Sequence, residues 1–211
     1  MKIVFLGDSI TDACRDKSDF YNLGRGYAFY SAQLLREKYP DAEFEFVNLG
    51  RDGYKTNTTL EGWSLISGDG LKDADIVSIM LGVNDTWHYI EQGKTMPDEE
   101  YESCYREIIR RVKEEAPNSK LLMFEHYLLP WAGRESWAPD IDRKIRIVRK
   151  IAAELADAFV PTDGLLAELL LKHEPSEIAA DGIHPIELGA RAIAGFYVNA
   201  VSPLVEEKLN K

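Results

Sequence analysis

The stretch Lys2-Ile-Val-Phe-Leu-Gly-Asp-Ser-Ile-Thr11 begins as a run of apolar, β-forming residues and stops abruptly at Gly7-Asp8-Ser9. Such a run predicts a buried strand, and the serine then lies where that strand reaches the surface. A serine at this point can be a turn residue, a helix cap or a nucleophile. The rest of the sequence bears on which of these roles Ser9 has.

Short apolar runs of this kind recur along the chain and alternate with segments of helical period. The predicted strands are Lys2–Leu6, Glu43–Leu49, Asp75–Leu81, Lys120–Glu125 and Ala158–Pro161. The predicted helices are Tyr27–Tyr39, about Thr59–Ile66, Asp98–Ala116, Ile141–Asp157, Leu165–Leu171 and Pro185–Lys208. This alternation indicates right-handed βαβ units. We therefore predict an α/β fold, a flavodoxin-like three-layer α/β/α sandwich with a five-stranded parallel sheet, formed by residues 1–211 as a single domain.

The charge balance of the chain is acidic. There are 36 Asp and Glu against 25 Lys and Arg, a formal net charge of −11, and the acidic residues are spread along the sequence. Such a surface repels phosphate backbones and anionic lipid heads, so we expect neither nucleic acid nor membrane as a partner. A neutral or sugar-like small molecule would approach without penalty. A homo-oligomer is compatible with this composition.

The expected compartment is the cytoplasm. The first apolar run becomes charged too soon for a signal peptide, and no stretch approaches the ~20 apolar residues of a membrane span. The two cysteines, Cys14 and Cys104, cannot make a disulfide framework, and we expect both to be small buried or half-buried filler.

Three of the predicted strands end in turns that contain glycine: Gly7-Asp8-Ser9, Gly50-Arg-Asp-Gly53 and Gly82-Val-Asn84-Asp85. In an open parallel sheet, ligands bind beyond the carboxyl ends of the strands. The three turns are therefore expected to meet at one edge. The first lacks the glycine-rich pattern of a dinucleotide or P-loop site. It also departs from the G-x-S-x-G nucleophile elbow, because Thr11 stands where the second glycine belongs.

A second motif, Asp181-Gly-Ile-His184, comes immediately before Pro185. In a purely structural interpretation, Asp181 caps the last helix and His184 lies on its first turn. In a functional one, a single turn places the carboxylate beside the imidazole. Asp181 then accepts from Nδ1–H of His184 and leaves Nε2 as a base, which a serine hydroxyl needs before it can act as a nucleophile.

Asn84 and Gly53 complete the pattern. Attack on an ester carbonyl places negative charge on its oxygen, which requires hydrogen-bond donors aimed at that atom. The side-chain amide of Asn84 and the backbone N–H groups of Gly53 and Ser9 would supply them. Taken alone, Asn84-Asp85 is equally consistent with a turn after a strand.

Together these blocks resemble the GDSL-like lipase/acylhydrolases, or SGNH hydrolases, over nearly the whole chain. The blocks occur in the order Gly7-Asp8-Ser9, Asn48–Gly53, Gly82–Asp85 and Asp181-x-x-His184-Pro185. The resemblance implies a serine esterase. It implies that Ser9 is the nucleophile, His184 the base, Asp181 its orienting partner, and Ser9, Gly53 and Asn84 the oxyanion hole.

A narrower resemblance is to bacterial GDSL acetylxylan esterases, which deacetylate xylo-oligosaccharides inside the cell. It lies in Gly7–Asp12, Leu23-Gly-x-Gly-Tyr27 and Val77–Trp87, whereas Asp52 and Tyr54 beside Gly53 depart from the usual small residues. It implies an acetylated sugar as the substrate. Trp87, with Trp131 and Trp137, is a candidate for a sugar-binding rim.

Three other functions are weighed against this one. A lysophospholipase or thioesterase-like acylhydrolase of broader acyl range shares the same motifs. A nucleotide-binding module would need a glycine-rich turn and an acidic ribose partner, and a catalytically silent glycan-binding relative would not need Ser9, Asp181 and His184 intact. His88, His126 and His173 are too scattered for a zinc site, so we expect no metal and no cofactor.

Overall fold

The structure, a computed structural model of the chain, describes residues 1–130 and 133–210. Its centre is a five-stranded parallel sheet with the strand order β2-β1-β3-β4-β5. The strands are β1 (Lys2–Gly7), β2 (Glu45–Asn48), β3 (Ile76–Met80), β4 (Lys120–Phe124) and β5 (Ala158–Val160). With helices on both faces, this is the predicted α/β architecture, which is thereby confirmed.

Helices cover both faces of the sheet. They are α1 (Ser9–Asp12), α2 (Tyr27–Lys38), α3 (Thr56–Glu61), α4 (Val83–Glu91), α5 (Asp98–Glu115), α6 (Ala138–Leu155), α7 (Thr162–Leu169), α8 (Pro175–Ile178) and α9 (Glu187–Leu209). Alternate strand residues enter two separate cores. Phe5 packs with α2 and α9 on one side, and Leu6 packs with α5 on the other. Burial on both faces explains why the strands are continuous apolar runs.

Two helices at the carboxyl edge of the sheet were not predicted. The sequence indicated only turns at Gly7–Ser9 and Gly82–Asp85, but α1 begins at Ser9 and α4 begins at Val83. Gly82 has φ +137°, a value that L side chains rarely adopt, so β3 turns sharply into α4. The predicted Thr59–Ile66 helix is also shifted, because α3 ends at Glu61.

The last helix, α9, contradicts the expectation that no stretch of the chain approaches the length and apolarity of a membrane span. It is long and apolar enough to meet the length and hydropathy of a membrane span, with a mean hydropathy of 1.2 over 18 residues. However, 56% of that window is buried inside the fold, against α2 and β5 among other elements. An all-round apolar helix in this position is a core helix.

A buried ion pair fixes α4 against α6. Lys144 is fully buried and donates to Asp140, whose Oδ2 also accepts from the hydroxyl of Thr86 at 2.6 Å. Because a buried charge is costly without a partner, these three groups constrain one another. The first turn of α4, which carries Asn84, is thereby held in place.

Candidate active site

Ser9 and His184 meet although 175 positions separate them in the chain. The Ser9 hydroxyl oxygen lies 2.9 Å from Nε2 of His184, which is hydrogen-bond distance. Ser9 is the first residue of α1, immediately beyond the carboxyl end of β1. As the first residue of a helix, it keeps a backbone N–H that no intrahelical carbonyl accepts.

Asp181 orients the His184 ring from the other side. Its Oδ2 lies 2.8 Å from Nδ1 of His184, and its Oδ1 accepts the backbone N–H groups of His184 at 2.7 Å and Ile183 at 3.0 Å. Burial alone would raise the pKa of Asp181, but these hydrogen bonds lower it overall. The capping interpretation of Asp181 is wrong, because α9 begins only at Glu187.

Asp8 supports the turn that presents Ser9. It is fully buried and caps α1 by accepting the backbone N–H of Ile10 at 3.0 Å. Its second oxygen has no hydrogen-bond partner among the described residues. Burial raises the pKa of Asp8 to about 7, with further contributions from Asp85 and Asp52. A carboxyl group rather than a carboxylate therefore occupies this position at mildly acidic pH.

The Gly53 and Asn84 turns lie against each other. Gly53 adopts φ +71°, which favours glycine, and Nδ2 of Asn84 donates to the carbonyl of Tyr54 at 3.1 Å. The same loop is tied to the end of β1, since the N–H of Arg51 donates to the carbonyl of Gly7 at 2.9 Å. The second amide hydrogen of Asn84 remains available for another acceptor.

Asp85, which sequence reasoning treated only as a turn residue, ties α4 to α3. It is buried and accepts the backbone N–H of Thr56 at 3.0 Å and the Thr56 hydroxyl at 2.6 Å. Burial raises the pKa of Asp85 to about 6, although the bonds from Thr56 lower it. This contact fixes the spacing between the Gly53 loop and Asn84.

An aromatic cluster covers one side of His184. The ring centre of Trp87 lies 6.0 Å from that of His184 and 5.6 Å from that of Trp137. Trp137 is buried, with 9% of its surface exposed, so it is not an open rim residue. Trp87 is half-buried, and its sugar-binding role stays a prediction. Trp131 lies outside the described residues.

Arg134 completes this cluster and was missed by sequence reasoning. Its guanidinium carbon lies 4.7 Å from the Trp87 ring centre and 5.2 Å from that of Trp137. Nη1 donates to the backbone carbonyl of Asp181 and lies 3.8 Å from its Oδ2. No local sequence signal pointed to Arg134, because its contact with Asp181 joins residues 47 positions apart.

The remaining histidines are dispersed. His126 is fully buried, and burial lowers its pKa to about 3. His88 lies near Gly53, because a Cβ at Gly53 would be 3.8 Å from its Nε2. Across residues 1–130 and 133–210, no group of three His, Cys, Asp or Glu side chains is placed to hold a metal ion.

A cavity of about 480 Å³ opens beside the Ser9–His184 pair. Both residues line it, together with Pro185 and several charged side chains. Cys14 also lines it and is exposed, which corrects the expectation of a buried or half-buried residue. Neither Gly53 nor Asn84 lines the cavity. Ser9 itself and Asp52, the neighbour of Gly53, do line it.

Comparison with known proteins places this geometry in context. The model of the GDSL-like Lipase/Acylhydrolase family matches residues 5–192. An acetylxylan esterase from Geobacillus stearothermophilus is 28% identical over 211 residues, covering 95% of this chain and 93% of the relative. A solved Parabacteroides merdae structure, described as a GDSL-like lipase, is 30% identical with a TM-score of 0.86 and 95% coverage of both chains. A catalytic mutant of the acetylxylan esterase Axe2 from Geobacillus stearothermophilus is 27% identical, with a TM-score of 0.82 and coverage of 94% and 92%.

Proposed function

The chain belongs to the GDSL-like lipase/acylhydrolase family and is a carboxylic ester hydrolase, and from that premise we propose that it removes short acyl groups, chiefly acetyl, from sugars such as xylo-oligosaccharides. The observation that carries the proposal is the continuous hydrogen-bonded series from Ser9 through His184 to Asp181, at 2.9 and 2.8 Å. The acetylxylan esterase relative supports the choice of substrate.

In the first half of the reaction, the Ser9 oxygen attacks the ester carbonyl carbon. Nε2 of His184 takes the hydroxyl proton as the bond forms, and the Asp181 carboxylate stabilises the resulting imidazolium through Nδ1–H. The tetrahedral intermediate then collapses. The bond to the alcohol oxygen breaks, and His184 returns its proton to that oxygen, which leaves an acyl group on Ser9.

The negative charge of the intermediate is held by three donors. These are the backbone N–H groups of Ser9 and Gly53 and the side-chain amide of Asn84. Asn84 is already oriented by its hydrogen bond to the Tyr54 carbonyl, so its position costs no reorganisation during the reaction. The positive φ of Gly53 allows the backbone to turn its N–H toward the site.

The second half regenerates the enzyme. Water attacks the acyl carbon while Nε2 of His184 removes one of its protons. The same three donors hold the new oxyanion. Collapse breaks the bond to Ser9, whose oxygen recovers the proton from His184, and the free carboxylic acid leaves. No residue is consumed, and one water is used for each ester cleaved.

The lining of the cavity bears on the kind of group that it accepts. The cavity beside Ser9 and His184 carries charged side chains of both signs, so it does not offer the apolar trough that a long hydrocarbon chain needs. Placing hydrocarbon against them would deprive those charges of water without providing partners. This favours a short acyl group and a polar alcohol over a lysophospholipid.

The test is a hydrolysis panel combined with active-site labelling. The panel contains acetylated xylo-oligosaccharides, lysophospholipids and aryl esters of graded acyl length. We expect acetylated sugar and aryl acetate to be cleaved, Ser9→Ala to be inactive, and an organophosphate to label wild type at Ser9 as seen by peptide mass. Ser64→Ala, an exposed serine outside the site, is the matched control and keeps full activity. Labelling at another residue would refute the assignment of Ser9.

A further inference from the structure

The cavity beside Ser9 differs in charge from the rest of the protein. Its lining includes three cations, Arg15, Lys17 and Arg25, and two anions, Asp12 and Asp52. The chain as a whole carries 36 acidic and 25 basic side chains. A local excess of positive charge therefore lies next to the nucleophile of a strongly acidic protein, where it would concentrate anions.

Internal pairing leaves two of these cations available. Lys17 lies 3.1 Å from Asp12, so this pair largely neutralises itself. Arg25 is exposed, and its side chain has no ion-pair partner in the part of the chain that the structure describes. Asp52 is likewise exposed and reduces the excess without removing it.

Arg15 is the second cation, and its environment is unusual. Only 5% of the residue is exposed, yet it lines the cavity. Nε donates to the carbonyl of Gly50 at 3.1 Å and Nη1 to that of Asp16 at 3.2 Å, whereas Nη2 has no hydrogen-bond partner among the described residues. The Nη2 atom is itself buried, so Arg15 acts on a group in the cavity through its positive charge and not through a direct hydrogen bond from Nη2.

The chemistry decides which part of the ester enters this cavity. During the reaction, the leaving alcohol oxygen receives its proton from Nε2 of His184 and must lie beside it. His184 and Pro185 line the cavity, whereas Gly53 and Asn84 do not. We therefore place the alcohol in the cavity and the carbonyl oxygen toward Gly53 and Asn84.

On the basis of the function proposed above, we propose that this cavity binds an anionic substituent on the alcohol part of the ester, held by Arg25 and attracted by the buried charge of Arg15. The substrate class is an acetylated oligosaccharide that carries a negative group. A carboxylate and a phosphate share the required chemistry, since both accept hydrogen bonds from guanidinium groups. Arg25 binds the group at the mouth, and the buried charge of Arg15 adds to the attraction.

The test compares three acetylated oligosaccharides of the same length. One is neutral, one carries a uronic acid carboxylate, and one carries a phosphate monoester. We expect kcat/KM for at least one anionic substrate to exceed that for the neutral one about tenfold at low ionic strength. The advantage should shrink as salt is added, because the mouth of the cavity is open to solvent. Comparison of the two anionic substrates identifies the group.

Variants of Arg25 distinguish a specific site from general attraction. In Arg25→Gln the advantage of the anionic substrate disappears, and in Arg25→Lys part of it remains. Lys72→Gln makes the same change in net charge near the amino end of the sheet and keeps the full advantage. Equal kcat/KM for neutral and anionic substrates, or an unchanged advantage in Arg25→Gln, would overturn the proposal. Failure to cleave any of the three acetates would instead refute the proposed function.

Discussion

Arg134 donates a hydrogen bond to the backbone carbonyl of Asp181, and its guanidinium carbon lies 4.7 Å from the centre of the Trp87 ring. Trp87 in turn packs against the His184 ring. One arginine thus contacts both the main chain of Asp181 and the indole that packs against the His184 ring. Its planar cation suits both contacts, which a lysine would reproduce only in part.

We expect Arg134→Gln to lower kcat about tenfold with little change in KM, because the base is less well positioned. Arg134→Lys keeps the charge but not the planar group, so it should keep only part of the wild-type kcat. Wild-type kcat in Arg134→Gln, with exposed Arg146→Gln as the control, would contradict this role.

Asn84→Ala separates stabilisation of the oxyanion from activation of the nucleophile. The Ser9–His184 contact stays intact while one donor is lost. A decrease in kcat of roughly 10²–10³ with KM little changed is expected, the range seen when one oxyanion donor is removed. Steady-state kinetics with an aryl acetate measure it. A raised KM at constant kcat would show that Asn84 binds the ground state instead.

Acyl length and the role of Trp87 are tested together. We expect kcat/KM to fall steeply from acetyl to butyryl and to be negligible beyond octanoyl, since a fitting apolar trough would instead add about 0.8 kcal/mol per CH₂. Trp87→Ala should impair hydrolysis of an acetylated xylo-oligosaccharide more than that of aryl acetate. Activity that rises with acyl length would place the enzyme among lipid-acting relatives. Equal losses on both substrates would remove Trp87 from the sugar site.

We expect Asp8 to make the free energy of unfolding depend on pH. Its pKa is about 7 in the folded protein against 3.8 for the unperturbed group, so the folded state binds the proton more tightly. The stabilising contribution is complete below pH 4 and is lost as pH rises through about 7. In that window the contribution of Asp8 to the free energy of unfolding decreases with rising pH, by at most about 4 kcal/mol.

Asp8→Asn isolates this effect, because asparagine keeps a side-chain oxygen for the N–H of Ile10 but has no charge. Denaturant unfolding of both proteins from pH 4 to pH 8 measures the difference. We expect the variant to gain stability relative to wild type as pH rises. A difference that is constant across this range would show that Asp8 keeps an ordinary pKa.

The strands could be predicted from the sequence because each is a short apolar run between turn residues. Predicted Asp75–Leu81 contains β3, and predicted Lys120–Glu125 exceeds β4 by one residue. The carboxyl ends of the first and third strands, β1 and β3, indicated where Ser9 and Asn84 would lie. The structure brings these turns together at one edge, as expected, while the chemical roles of the residues stay predictions.

Helix α4 and the contacts of Arg134 could not be predicted from the sequence in the same way. The polar run after Gly82 reads as a turn, and only the packing of Thr86 on Asp140 shows why it continues as α4. The contact of Arg134 with Asp181 joins residues 47 positions apart through an irregular loop. Neither periodicity nor a local motif encodes a contact of that kind, because the contact depends on how the loop packs against the folded sheet.

The 175 positions between Ser9 and His184 also have a consequence for how the enzyme matures. The two residues lie near opposite ends of the chain, so their contact closes one of the longest loops in the fold and carries the corresponding entropic cost. Catalytic competence is therefore a late event of folding. After dilution from denaturant, esterase activity should return more slowly than helical circular dichroism. Simultaneous recovery would contradict this order and indicate that the chain folds in one cooperative step.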